Sequence, residues 1–240
     1  MGKTELSRRS FVKYVGVAGA ACLASAALAG CGQGGSQSSA SASSGSAAGA
    51  SASSASASST GTAPAAVGSN SVVVFFSRAG ENYDVGFVDQ GNTSIVAYSI
   101  AGKIVSDVFE IIPVEPYPEG YEECTVVGRN EQREKARPAY VGDLENFDSY
   151  DVVYLGYPIW WEDMPMIVYS FLESHDWSGK TVVPFCTYGS SGLCDTDKKL
   201  QSVCPDATVT EALALAGSVA QNDSSQVNKA VNEWLATVRG

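Results

Sequence analysis

From residue 71 onward, short apolar runs alternate with stretches whose apolar positions recur every three or four residues. Residues 71–76 (SVVVFF) are apolar almost throughout, as expected of a strand covered on both faces. Residues 93–106 carry Ile95-Val96, Ile100 and Ile104 at helical spacing. Residues 108–112 predict a second strand, halted by Pro113, and 119–135 a charged helix interrupted by Gly128. The run 151–157 predicts a third strand, followed by a helix that opens on Pro165 and reaches Leu172. Residues 180–186 predict a fourth strand, with Pro184 as a break in it. A helix over 193–203 and a fifth strand over 208–215 follow. The plainest pattern belongs to the last helix, where Val227, Ala230-Val231, Trp234-Leu235 and Val238 share one face and Ser224 or Ser225 can cap it.

Strands alternating with helices imply an α/β fold, a doubly wound five-stranded parallel sheet with helices on both faces. The common five-strand order is 2-1-3-4-5, and its ligand crevice lies at the carboxyl ends of strands 1 and 3. Three polar, glycine-bearing loops fall on that edge. Ser77-Arg78 follows the first strand, with Gly91-Asn92-Thr93 opening the next helix. Pro158-Ile159-Trp160-Trp161 follows the third strand, and Thr187-Tyr188-Gly189-Ser190-Ser191-Gly192 the fourth. No comparable cluster follows the second.

The first seventy residues change the picture of where such a domain works. Arg8-Arg9 precedes a weakly apolar Ala/Gly-rich run, 14–29, that is too short for a good membrane span and suits a signal segment. The arginine pair resembles a twin-arginine export signal, although it also fits an ordinary positive n-region. Leu28-Ala29-Gly30-Cys31 resembles a lipobox, implying cleavage before Cys31 and lipid on its sulfur. The twin-arginine route carries folded proteins, which favours a domain that loads its cofactor before export. Residues 31–70 are almost entirely Ser, Ala and Gly and cannot bury enough apolar area to order themselves. They predict a flexible tether with an r.m.s. span of about 35 Å. A single domain, 71–240, remains. Removing residues 1–30 discards four basic side chains and one acidic one, taking the formal charge from −11 to −14. That sign disfavours nucleic-acid binding and suits either solubility or steering of a basic redox partner.

Each edge loop carries its own chemistry. Ser77, Asn92 and Thr93 offer side-chain donors for a phosphate, and the amides of residues 91–93 add a helix N-terminus. Arg78 could pair with that phosphate or lie on the surface. GxGxxG and Walker patterns are absent, so dinucleotide and nucleoside-triphosphate binding lack support. Trp160, Trp161 and Tyr188 could wall a flat ring, and the fourth-strand loop lets backbone amides approach its polar edge. The tryptophans could equally cap the core. His175, the sole histidine, predicts a surface position, and Glu162 and Asp163 read as solvated rather than catalytic. Cys186 reads as buried, while Cys194 and Cys204 lie close enough in sequence for a bridge that the sequence leaves open.

VVVFFSRAG, GNT, FEIIPVEPYP, YLGYPIWWEDMP and SGKTVVPFCTYGSSGL occur in order across the domain. Together they resemble the flavodoxin family, and more narrowly its group with a GYPIWW loop. The resemblance implies non-covalent FMN, with Ser77, Arg78, Gly91, Asn92 and Thr93 at the phosphate. It further implies Pro158, Ile159, Trp160 and Trp161 along the ribityl chain and ring, and Thr187, Tyr188, Gly189 and Gly192 near the ring edge. The expected role is electron transfer to a redox partner protein or a small-molecule acceptor, with no catalytic residue assigned and membrane attachment through Cys31. An FMN-dependent quinone or nitro-compound reductase and a non-redox binding lipoprotein are the alternatives. One departure stands out: residues 79–90 interrupt the family's usually compact phosphate loop, and Tyr83 or Phe87 within them could lie over the flavin.

Overall fold

The computed structural model describes residues 70–239. The expected signal segment, the tether as far as residue 69 and the acylation site Cys31 lie outside the described residues. In chain order the elements are β1 (Ser71–Phe75), β2 (Gly80–Asn82), β3 (Gly86–Val88), α1 (Asn92–Ile104), β4 (Asp107–Glu110), α2 (Tyr121–Glu134) and β5 (Val152–Pro158). They continue with α3 (Met166–Glu173), β6 (Thr181–Tyr188), α4 (Thr196–Val203), β7 (Thr208–Val209), β8 (Leu213–Ala216), α5 (Gly217–Asn222) and α6 (Ser224–Val238). The main sheet is parallel in the order β4-β1-β5-β6-β7, with β8 also on β6. This is the flavodoxin-like 2-1-3-4-5 arrangement, its fifth strand split in two.

Side-chain alternation divides the interior into two cores. Val72, Val74 and Phe76 point to one face, where Ile167, Phe171 and Leu200 from α3 and α4 cover them. Val73 and Phe75 point to the other, against Val96 and Ile100 of α1 and Val231 and Trp234 of α6. Strands covered on both sides must be apolar at every position, which is why β1 and β5 carry continuous hydrophobic runs.

Pro184 does not break its strand. The carbonyls of Lys180 and Val182 accept from the amides of Thr208 and Thr210 at 2.9 and 3.0 Å, so alternate residues of β6 face the fifth strand. Pro184, next in that series, has no N–H to contribute there. The fifth strand yields instead: its register shifts from Val182↔Val209 to Phe185↔Leu213, adding one residue between β7 and β8.

Other expectations need correction. Asp223, not Ser224 or Ser225, caps α6, its carboxylate accepting from the Gln226 amide at 2.8 Å. Pro165 is the residue before α3 rather than its first turn. Cys194 and Cys204, whose pairing the sequence leaves open, are both free. His175 is not on the surface: its ring packs 4.3 Å from both Phe147 and Phe171, with Nε2 3.1 Å from Asp143. Asp163 is largely buried, accepting from the Met164 amide and the Tyr169 hydroxyl and pairing with Lys199 at 3.2 Å, while Glu162 is exposed as expected. Among the described residues no helix is long and apolar enough to cross a membrane.

Candidate functional site

A cleft of about 360 Å³ opens at the carboxyl edge of the sheet, within the size range of small-molecule sites. Strand polarity places it there, because β1, β5 and β6 run parallel and release their loops at the same end. Pro158, Ile159, Trp160 and Trp161 form one side. Thr187, Tyr188 and Gly189 face it from the end of β6, joined by Ser190 and Ser191. Arg78 and Asn92 line the end nearest the start of α1. The three predicted loops therefore meet in one cavity.

Ser77, Gly91, Thr93 and Gly192 do not line it. Three of the four build the frame behind the wall. Ser77 Oγ accepts the Ser94 amide at 3.1 Å, leaving its own proton free to donate. Thr93 is buried, and its Oγ1 lies 2.7 Å from Thr187 Oγ1, a bond that ties the start of α1 to β6. Gly91 sits beneath this turn: a Cβ there would stand 2.3 Å from Ser77 Oγ and 2.5 Å from the Arg78 carbonyl. Gly192 is a turn residue at φ 71° with open space around it. Asn92 is oriented from behind, its Oδ1 accepting from Gln221 of α5 at 2.8 Å. The amides of Asn92 and Thr93 begin α1 without intrahelical acceptors, as the first turn of any helix does.

The two tryptophans divide the alternatives between them. Trp160 leans on the core, edge-on to Phe76 and Tyr117 at 5.5 and 5.0 Å, and still borders the cleft. Trp161 turns outward onto α2, where its Nε1 donates to the Thr125 carbonyl at 2.9 Å and Arg129 stands 4.5 Å from its ring. The turn that separates them is closed by reciprocal bonds between Trp160 and Asp163 at 2.9 and 3.1 Å. Its central residues, Trp161 and Glu162, have φ of 52° and 60°, the signs of a type I′ turn.

One wall was missed from the sequence. Tyr121, Cys124, Thr125 and Gly128 of α2 line the cleft. Their spacing, i, i+3, i+4, i+7, is one helix face. Gly128, which reads as a flaw in a helix, is where α2 meets Trp160: a Cβ would stand 3.1 Å from its ring. Burial pushes the Cys124 thiol up, with Arg78 opposing. Behind Trp160, the Tyr117 hydroxyl donates to Glu131 at 3.0 Å; burial and the neighbouring carboxylate raise the phenol, and burial raises Glu131 against the pull of that bond.

The insertion 79–90 folds as an antiparallel hairpin, β2 on β3, paired from Gly80↔Val88 to Asn82↔Gly86. Asn82 and Tyr83 line the cleft. Phe87 does not; it is 65% exposed, so only Tyr83 remains a candidate for covering the site.

A parallel 2-1-3-4-5 sheet with an aromatic cleft at its switch point defines a flavodoxin-like α/β protein. Residues 83–236 match the Flavodoxin family, and the chain belongs to it. A candidate flavoprotein from Bacteroides eggerthii is 30% identical, covering 72% of this chain and 99% of that one at a TM-score of 0.56. Another from Bacteroides uniformis is 28% identical over 70% of this chain and 99% of its own, with a TM-score of 0.57. A flavoprotein from Lactobacillus acidophilus, solved in complex with FMN, shares the fold at 17% identity and a TM-score of 0.51, with 63% of this chain and 95% of that one covered. Curated proteins give no match.

Proposed function

We propose that this protein binds FMN non-covalently in the cleft and transfers electrons outside the cytoplasm while anchored to the membrane through lipid at Cys31. The observation that carries the reading is the meeting of a helix N-terminus, an aromatic wall and a glycine-serine loop in one cavity at the sheet's carboxyl edge. The residues present fit the group. Asn92 and the free amides at the start of α1 would hold the phosphate, helped by the helix dipole. Trp160 and Tyr188 would border the ring, and the loop from Gly189 to Ser191 would meet its polar edge. The Lactobacillus protein of the same fold, solved with FMN, supports the same assignment.

When bound, FMN supplies one- and two-electron redox chemistry. The chain's part is to hold and to tune. Phe76 and Tyr117 fix the plane of Trp160, and the Thr93–Thr187 bond fixes the helix start against the ring loop. The acidic mature chain disfavours added negative charge, which sets a low reduction potential. Export and acylation rest on Arg8-Arg9 and on Leu28-Ala29-Gly30-Cys31. The electron acceptor is a redox partner protein or a small molecule.

Protein purified from its own membranes is expected to show flavin absorbance and a low-potential couple on redox titration. Rapid steady-state oxidation of NAD(P)H with a quinone would instead mark a reductase. A colourless protein that takes up no added FMN contradicts the proposal.

A further inference from the structure

Arg78 lines the cleft, but its side chain is already engaged by the backbone. Its guanidinium donates to three backbone carbonyls: Pro118 at 2.8 Å, Glu119 at 3.0 Å, and Glu81. The first two belong to the approach to α2 and the third to the inserted hairpin. Glu81 reinforces the junction from the hairpin's side. Its amide donates to the Glu119 carbonyl at 2.8 Å, and its carboxylate accepts the Tyr121 amide at 3.1 Å, in the first turn of α2. Asn82 stiffens the same strand by donating to the Gly80 carbonyl at 3.0 Å.

At its far end the hairpin crosses the cleft. Tyr83 rests on Gly189 so closely that a Cβ on that glycine would stand 2.5 Å from the ring. The ring also lies 6.0 Å from that of Tyr121. One end of the insertion is thus fastened at the start of α2, which walls the cleft, and its tip touches the loop that follows β6.

Building on the flavin reading above, we propose that residues 79–90 form a strap over the bound isoalloxazine, with Arg78 and Glu81 as its anchor and the Tyr83–Gly189 contact as its closure. Arg78 is then a positioning residue that slows cofactor release without touching the phosphate. A phosphate ligand and a strap anchor predict different things for riboflavin, which carries the ring but no phosphate. Removing an anchor frees both flavins equally, whereas removing a phosphate ligand affects FMN alone.

The test compares the full chain with its Arg78→Ala and Gly189→Ala variants. The second leaves the anchor intact and displaces Tyr83 by steric contact. Two quantities are read: chymotrypsin cleavage at Tyr83 or Phe87 in the flavin-free protein, and dissociation rates of FMN and riboflavin by recovery of flavin fluorescence. Both variants are expected to cleave several-fold faster and to release both flavins faster, Arg78→Ala by about tenfold, the scale of losing a charge-assisted hydrogen bond. The ratio of FMN to riboflavin rates should stay as in the parent. A rise of that ratio in Arg78→Ala, with FMN released faster, riboflavin unchanged and cleavage unchanged, would overturn the strap and return Arg78 to the phosphate. Flavin binding with unchanged release and cleavage in both variants would overturn the strap alone. Failure of the parent to bind either flavin would overturn the functional reading on which the strap depends.

Discussion

Glu162 sits at φ 60° beside Trp161 at 52°, with their turn held at both outer corners. The Trp161 carbonyl accepts from Gln132 at 3.0 Å and the Glu162 carbonyl from Lys199 at 2.8 Å. A left-handed backbone costs a side-chain-bearing residue about 1–2 kcal/mol, part of which a glycine returns as unfolded-state entropy. Glu162→Gly is therefore expected to stabilise the protein by about 0.5–1 kcal/mol, read as a higher urea midpoint at unchanged slope. A lower midpoint would mean that the turn is unstrained. Glu131 gives a pH test. Burial raises its carboxyl above the ordinary value, so the folded state prefers it protonated. Its contribution is most favourable below the unfolded pKa and is lost as pH rises through the folded one. Glu131→Gln should be more stable than the parent at pH 7, and the gap should shrink on acidification; a gap that widens toward low pH contradicts this. Single residues were also where the sequence was hardest to interpret. Nothing adjacent to His175 or Asp163 shows that each is enclosed by partners far along the chain, such as Phe147 and Lys199.

Among the elements, those with strong local patterns were legible to within a residue or two. The strand expected over 151–157 is β5, and the helix expected over 93–106 is α1, because burial on two faces or one stripe is written in the composition. What failed needed a neighbour to decide it. Pro184 is tolerated because the adjoining strand gives way, and Gly128 because Trp160 needs the space. The hairpin in 79–90 reads as a bare insertion, since two strands of three residues carry little periodicity. The three loops of the site could be placed from topology alone, but α2 as its further wall could not. At the start of α6, Asp223→Ala should cost about 1 kcal/mol, measured by thermal or urea unfolding. Ser224→Ala should cost only a few tenths of a kcal/mol, as at an ordinary exposed position. Equal losses from both would place the cap elsewhere.

For the protein in its setting, the family, the sheet and the cleft are consistent with one another, and the amino-terminal segment supplies its proposed address. With lipid on Cys31, the mature chain should partition with membranes and incorporate labelled fatty acid. Cys31→Ser should abolish both, while the domain over 71–240 keeps its fold. Label retained in that variant would place the anchor elsewhere. A flexible tether of about 35 Å would let the cleft meet partners without leaving the bilayer.

The claim on which the rest depends is that the cleft at the ends of β1, β5 and β6 takes FMN. Titrating the flavin-free protein with FMN, and following quenching of flavin and tryptophan fluorescence together, tests it most directly. Saturation at one FMN per chain is expected, with binding markedly weaker in Trp160→Ala. Flavin fluorescence that stays unquenched through excess protein would contradict it.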